Sequence, residues 1–259
     1  MLAQMPKLAA NLSTLFPELD FLERFAAARA AGFRYVEYQF PYGYPPAELA
    51  QRARTAEVQV VLHNVPAGDA AKGERGIGCL PGREREFAAG VERAIEYAAA
   101  VSCPRVNCIA GLAPQDQAHF DTLVANLRRA ARRLGELDID LLIEPINTRS
   151  VPGFFLTGTA QAIDVLNAVG EPNVFLQYDV FHMQIMEGDL ARSLERLLAR
   201  IGHIQIADVP ERHEPGTGEV NFDFLLAHLD AIGYSGWVGC EYNPRGDTRE
   251  GLKWAKRYL

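Results

Sequence analysis

Four stretches in the second half of the chain end in oxygen-bearing side chains. LLIEPIN carries Glu144, and VFLQYDVFH carries Asp179 with His182 three residues on. GHIQIAD carries Gln205 and Asp208, and WVGCEYNP carries Glu241. Each opens as a short apolar run of the kind that forms a buried strand. Alternate side chains of a strand point to opposite faces. On that parity Ile143, Leu176, Ile204, Ile206, Val238 and Cys240 share an apolar face, and Glu144, Gln177, Asp179, His203, Gln205 and Glu241 share the other. Carboxylates gathered on a buried face are costly unless something compensates their charge. A divalent cation would do so: Glu144, Asp179, Gln205 and Glu241 offer four oxygen ligands, a set that favours Mg²⁺ or Mn²⁺ over zinc. For any one of these carboxylates, pairing with an arginine such as Arg149, Arg212 or Arg245 is the structural alternative. The four together, at matched strand ends, favour the metal.

Two carboxylates beside a metal suit proton transfer next to a polarised carbonyl. The metal would bind the oxygens of an α-hydroxy-carbonyl compound, acidify the adjacent C–H and stabilise an enediolate. One glutamate removes the proton and the other helps return it to the neighbouring carbon. Glu144 and Glu241 are the residues expected in these roles. His182 is placed to orient or protonate a substrate oxygen. Arg212, in DVPERHEP, is placed to pair with a substrate carboxylate through both arms of its guanidinium.

These residues need a scaffold that brings strand ends together. The chain supplies eight strand–helix units in series. Strands are expected at Lys7–Leu12, Tyr35–Phe40, Val58–Val65, Arg105–Ala110, Asp140–Glu144, Val174–Asp179, Gly202–Ala207 and Gly236–Glu241. Helices are expected at Leu19–Ala31, Pro46–Ala56, Arg83–Val101, Gln115–Leu137, Thr159–Val169, Asp189–Arg200, Asn221–Ile232 and Thr248–Tyr258, with Thr159 read as a threonine cap. Such alternation predicts a parallel sheet, and 259 residues favour closure into a single (β/α)₈ barrel spanning 1–259, with its site at the C-terminal strand ends. No GxGxxG follows the first strand and no GxxxxGK[ST] occurs, so no nucleotide cofactor site is expected. The glycine-rich stretch 66–82, with Gly68, Gly73, Gly76 and Gly78, reads either as a mobile lid or as a series of backbone turns.

A net charge of −7 argues against nucleic acid as a partner. The four cysteines, Cys79, Cys103, Cys108 and Cys240, match no zinc motif and read as reduced thiols of a cytoplasmic protein. The N-terminal stretch MLAQMPKLAANLSTLF lacks the pattern of a secretory signal, and no apolar run is long enough to span a bilayer. Exposed outer helices are compatible with a homo-oligomer. His119 and His228 read as surface residues, while His63 and His203 read either as satisfied core histidines or as substrate contacts. Glu37 reads as a support for the site or as a buried hydrogen-bonding group, and Trp237 and Tyr242 as packing residues.

The segments GDAAKGERGIGCLPGRE, IEPINTR with PGFFL, LQYDVFHMQIMEGDL, GHIQIADVPERHEPGTGEVNF and GYSGWVGCEYNPRGDTREGLKW resemble the hydroxypyruvate isomerase family, one of the xylose-isomerase-like barrels that also include the ketose 3-epimerases. The resemblance runs from the loop after the third strand to the C-terminus and is looser before it. It implies interconversion of hydroxypyruvate and tartronate semialdehyde, with Glu144 and Glu241 at the two catalytic glutamate positions and Asp179 and Gln205 completing the metal set. Gln205 stands where the sugar epimerases place a histidine ligand, which favours a small-acid substrate. Close relatives act on four-carbon 2-oxo-tetronates, and their pattern around IEPIN and PGF is similar.

Overall fold

The computed structural model describes residues 6–259, so the first five residues of the N-terminal stretch, and of the 1–259 span, lie outside the described residues. Eight parallel strands close into a barrel in chain order. They are β1 (Lys7–Asn11), β2 (Tyr35–Glu37), β3 (Gln59–Asn64), β4 (Arg105–Cys108), β5 (Asp140–Ile143), β6 (Val174–Asp179), β7 (Ile201–Ile206) and β8 (Trp237–Cys240). β8 pairs back onto β1 from Lys7↔Trp237 to Ala10↔Cys240, which leaves no free sheet edge. The connecting helices are α1 (Arg24–Ala30), α2 (Pro46–Thr55), α3 (Glu84–Val101), α4 (Gln117–Gly135), α5 (Thr159–Val169), α6 (Val180–Met186), α7 (Leu190–Leu197), α8 (Phe222–Ala231) and α9 (Thr248–Gly251).

Strand parity divides the core. Ile143, Leu176, Ile204, Ile206, Val238 and Cys240 all lie in the large apolar layer between strands and helices. A smaller interior cluster of Ala9, Val61, Leu62 and Leu142, flanked by Tyr35, Phe175 and Trp237, fills part of the barrel. It provides the packed apolar filling that such a barrel needs. Beyond it the interior turns polar, toward the ends where Glu144, Asp179 and Glu241 stand. The β2–β3 ladder shifts register between Val36 and Glu37, and the β6–β7 ladder between Leu176 and Gln177. Bulges of this kind re-aim side chains. Both occur just before residues that enter the polar interior.

Several segments depart from the sequence expectations: β2 ends at Glu37, short of Phe40, and the first helix opens with a 3₁₀ turn at Phe21–Glu23 before α1 at Arg24–Ala30. The stretch after β6 forms an additional helix, α6, because Asp179 both ends the strand and caps the next turn: its Oδ1 accepts from Phe181 N at 2.8 Å. Thr159 is not the cap of α5. Gly158 holds that position, and the Glu187 carboxylate accepts from Thr159 N (2.6 Å) and Oγ1 (2.8 Å). A carboxylate is well suited to the positive end of a helix, and it satisfies two donors at once. The C-terminal helix is shorter than the stretch to Tyr258, with α9 followed by a 3₁₀ turn at Leu252–Ala255. Gly251 weakens the helix there, and it must remain small because a Cβ would come within 2.5 Å of Glu214 Oε1.

Candidate active site

A cavity of about 540 Å³ opens at the C-terminal ends of the strands. Glu144, Gln177, His182, Gln205, Arg212 and Glu241 line its inner part, and Phe40, Tyr42, Arg75, Arg93 and Phe154 line other walls. Glu144 and Glu241 directly follow β5 and β8, Asp179 ends β6 and Gln205 stands one residue before the end of β7. All four are buried.

The two glutamates are held in the same manner. Glu144 Oε2 accepts from Asn107 Nδ2 and Gln177 Nε2, each at 2.9 Å, while His182 Nε2 approaches Oε1 no closer than 3.8 Å. Glu241 Oε1 accepts from Gln39 Nε2 and lies 3.3 Å from Arg212 Nη2. Each carboxylate thus commits one oxygen to the protein and keeps the other for chemistry. Burial raises the pKa of both well above the usual carboxylate range. Repulsion from Glu241 and Asp179 adds to the shift of Glu144, and the Arg212 charge works against the shift of both.

Arg212 is less free than its loop position in the sequence implies. Its Nη2 lies 3.3 Å from Asp179 Oδ2 as well as from Glu241, and its guanidinium sits over the Phe181 ring at 5.0 Å. One arm of the expected fork for a substrate carboxylate therefore already faces the protein's own carboxylates. Burial opposes the Arg212 charge, but Glu241, Asp179 and Glu144 outweigh it and raise its pKa. The residue adopts a left-handed φ of 59° within a loop that Asp208 organises. Asp208 Oδ1 accepts from Val209 N and Val220 N, and Oδ2 from Gly216 N and Gly218 N. Asp208, prominent in the sequence at the end of β7, therefore shapes the loop that carries Arg212.

His182 Nδ1 faces two donors, Asn147 N at 3.3 Å and Asn147 Nδ2 at 2.5 Å. Burial lowers its pKa to about 4, against the pull of Asp179, so the ring is neutral near pH 7. With Nδ1 accepting, the ring hydrogen is on Nε2, 3.4 Å from Asp179 Oδ2. Glu144, Asp179 and His182 present ligand atoms within 4.8 Å of one another. The Nε2 hydrogen leaves the carboxylates, rather than the imidazole, as the members of this group suited to a cation. Gln205 has its amide oriented: Nε2 donates to Glu37 Oε1 (2.7 Å) and Oε1 accepts from Gln177 Nε2 (2.6 Å). The donor set fits a hard divalent ion. The charge fits as well: the three buried carboxylates Glu144, Asp179 and Glu241 face one buried arginine, and two further positive charges would balance them.

Several supporting residues were not evident as such in the sequence. Asn107 and Asn147 clamp Glu144 and His182, and Gln39 clamps Glu241. Asn107 is a buried polar residue between Val106 and Cys108 on β4, a signal available in RVNC. Gln39 and Asn147 lie in loops, and only the closed barrel brings them to their partners. Glu37 is a buried hydrogen-bonding group: Oε1 accepts from Asn11 Nδ2 (2.9 Å) and Gln205, and Oε2 meets His203 Nε2. His63 turns Nδ1 toward Asn64 O at 3.3 Å. Neither His63 nor His203 lines the cavity, so both are core histidines. His119 and His228 lie on the outer helices α4 and α8, bonded to Asp116 and to Ala191 O.

The pattern of the Xylose isomerase-like TIM barrel family matches residues 25–258. Hydroxypyruvate isomerase of Escherichia coli (strain K12) is 50% identical over 98% of this chain and 100% of its own length. The 2-oxo-tetronate isomerase of Pectobacterium atrosepticum is 45% identical, over 98% of each chain. A crystal structure from Brucella melitensis described as AP endonuclease, family 2, superposes with a TM-score of 0.96 at 44% identity, covering 98% of this chain and 99% of that one. On fold, on the match along nearly the whole chain and on relatives of this identity, the chain belongs to the xylose isomerase-like TIM barrel family.

Proposed function

We propose that the protein is an aldose–ketose isomerase that interconverts hydroxypyruvate and tartronate semialdehyde through an enediolate. The observation that carries this reading is the matched pair Glu144 and Glu241, each buried at a strand end, each with one oxygen clamped and one free, and each with its pKa raised. A carboxyl group with a raised pKa exchanges a proton more readily near neutral pH than an ordinary one. In its ionised form one glutamate accepts the proton from the hydroxymethyl carbon of hydroxypyruvate. The other, as the acid, delivers a proton to the former carbonyl carbon, and a hydroxyl proton passes between the two substrate oxygens. The Nε2 hydrogen of His182 is the donor for one of those oxygens, and Arg212 faces the negative charge that grows on the enediolate. Glu144, Asp179, Gln205 and Glu241 would hold Mg²⁺ or Mn²⁺, which when bound supplies Lewis-acid polarisation of the substrate oxygens.

The names of the relatives support two substrates, the three-carbon acid and a four-carbon 2-oxo-tetronate. A cavity of about 540 Å³ admits either, so the second reading stands beside the first. A DNA-repair endonuclease with several zinc ions is disfavoured. The one group of three potential ligands among the described residues has a single histidine, and the chain's net charge is −7. Four free, buried cysteines support a reducing, cytoplasmic setting. No helix among the described residues is long and apolar enough to cross a membrane. The closed barrel among residues 6–259 supports reading the chain as a single domain.

Proton NMR of the purified protein with hydroxypyruvate in D₂O, with Mg²⁺ or Mn²⁺ and then with chelator, tests the reading. Tartronate semialdehyde carrying deuterium on carbon is the expected product. No turnover of either acid by the metal-loaded protein would sink it.

A further inference from the structure

An acid that enters this cavity meets a charge problem. Its reacting end must lie against Glu144 and Glu241, where three buried carboxylates share one arginine. With a divalent ion balancing those carboxylates, the substrate's own carboxylate, bonded directly to a reacting carbon, brings one more negative charge, which a further cation on the wall would meet. Three arginines line the cavity. Arg212 turns Nη2 to both Asp179 and Glu241, so one end of its guanidinium is engaged by the protein's own carboxylates while its Nε has no partner among the described residues. Arg93 donates to Tyr42 O at 2.9 Å and stacks over the Tyr42 and Tyr97 rings. Arg75 has no hydrogen-bond or ion-pair partner among the described residues and is exposed.

The loop around Arg75 is built to hold it in place. On one side, Glu74 accepts from Arg83 Nη1 (2.9 Å) and Nη2 (3.2 Å) and from Asp69 N (2.6 Å). Its charge is thereby met by Arg83 and does not cancel that of Arg75. On the other side, Gly76 has φ 102°, and its N–H donates to Ala67 O at 2.9 Å. A Cβ there would lie 2.2 Å from Ile109 O. Gly68, also at positive φ, leaves room for the Glu74 carboxylate, which a Cβ would approach to 2.1 Å. The glycines 68 and 76 thus make close-packed turns, and the backbone of Arg75 is fixed between two anchored neighbours. A fixed backbone spares this segment the cost of ordering when an anion binds, which leaves the rotamer freedom of the Arg75 side chain itself as the part to be lost.

We infer that Arg75 is the carboxylate anchor of this site, the residue that makes it accept a small hydroxy-keto acid in preference to an uncharged sugar. The inference rests on the proposed isomerase reading for the choice of substrate, but its test does not require turnover. Glycerate has the three-carbon skeleton and the carboxylate but no carbonyl to isomerise, and glycerol has the skeleton without the charge. Calorimetric titration of the full chain with each, in wild type and in Arg75→Gln and Arg75→Lys, reads the anchor directly. Wild type is expected to take glycerate in preference to glycerol. Arg75→Gln should weaken glycerate binding roughly 10- to 100-fold, the range for loss of a charged hydrogen bond, and Arg75→Lys should recover part of it. In turnover, Arg75→Gln should raise KM for hydroxypyruvate by a similar factor with kcat little changed. Arg75→Gln that binds glycerate as wild type does, or wild type that binds glycerol as well as glycerate or binds neither, overturns the anchor. Arg75-dependent glycerate binding without any isomerisation would leave the anchor standing and count against the isomerase reading instead.

Discussion

His203 Nε2 and Glu37 Oε2 lie 2.7 Å apart inside the barrel, and neither side chain has any exposed surface. The pair is the support on which Gln205 rests, because Gln205 donates to the other oxygen of the same carboxylate. Space for it comes from β8: a Cβ on Gly239 would fall 2.3 to 2.5 Å from the Glu37 carboxyl atoms. Removing one partner of a buried pair strands the other. Glu37→Gln puts an amide N–H₂ against groups that donate, and is expected to cost roughly 3 kcal/mol or more in urea-unfolding stability. It should also lower kcat by releasing Gln205. Gly239→Ala should destabilise by about 1 to 3 kcal/mol through overpacking at the same point. A Glu37→Gln protein as stable as wild type would show that the pair contributes nothing.

The metal reading makes a prediction that needs no turnover. Mg²⁺ or Mn²⁺ added to chelator-treated protein should raise Tm, since an ion that binds only the folded state stabilises it by mass action. Asp179→Asn removes one ligand charge, and with it most of that rise. Asp179 Oδ1 also caps α6, a role the Asn side-chain oxygen can retain, so the variant is expected to fold. Wild type with no metal-dependent shift would mean that Arg212 alone compensates the carboxylates.

Much of this arrangement was legible in the sequence because it is local. Parity along single strands separates Ile143 from Glu144 and Cys240 from Glu241, and a two-residue repeat is enough to assign their faces. The parallel barrel follows from eight such units in series. What escaped is what closure creates. Gln39 clamps Glu241 from 202 residues away, and Glu187 caps α5 from 28 residues away. No window along the chain contains either pair. The sequence offered Arg212 both as a partner of the strand-end carboxylates and as a substrate anchor, and only the closed barrel brings Asp179 and Glu241 together at its Nη2. The loop glycines left two readings open; the packing of Gly76 against Ile109 supports a turn at that position, while Gly73 has open space around it.

Histidine burial should work against the fold in acid, in opposition to Glu144 and Glu241, whose raised pKa lets the native state take up protons first. Desolvation lowers the pKa of His63 from 6.5 to about 4, and the Asn64 carbonyl offsets this only in part. The unfolded chain therefore binds a proton between pH 6.5 and 4 that the native ring refuses. The stability is present above pH 6.5 and is lost as pH falls toward 4, by roughly 3 kcal/mol for this group. His182, lowered to about 4 by burial, adds to the loss in the same window. Between pH 7 and 4.5 the urea midpoint of wild type should drop relative to that of His63→Gln, whatever the two glutamates add to both. Parallel curves for the two proteins would assign the acid sensitivity to other groups.

The two glutamates and Arg212 should separate into different kinetic classes. Glu144→Gln and Glu241→Gln remove a proton carrier but keep the clamped oxygen as an acceptor for Asn107 and Gln177, or for Gln39 and Arg212. Each should lower kcat by roughly 10² to 10⁴-fold, the usual contribution of a positioned acid or base, with near-native circular dichroism. Both variants also relieve repulsion among buried carboxylates, so their Tm in chelator should match or exceed that of wild type. Arg212→Ala acts in the opposite sense on stability. It leaves Asp179 and Glu241 without their shared cation, and it should lower Tm as well as kcat/KM. If Arg212 served only to anchor substrate, Tm would hold and only KM would rise. An unchanged rate in either glutamate variant would remove the two-carboxylate mechanism, whatever the fate of Arg212.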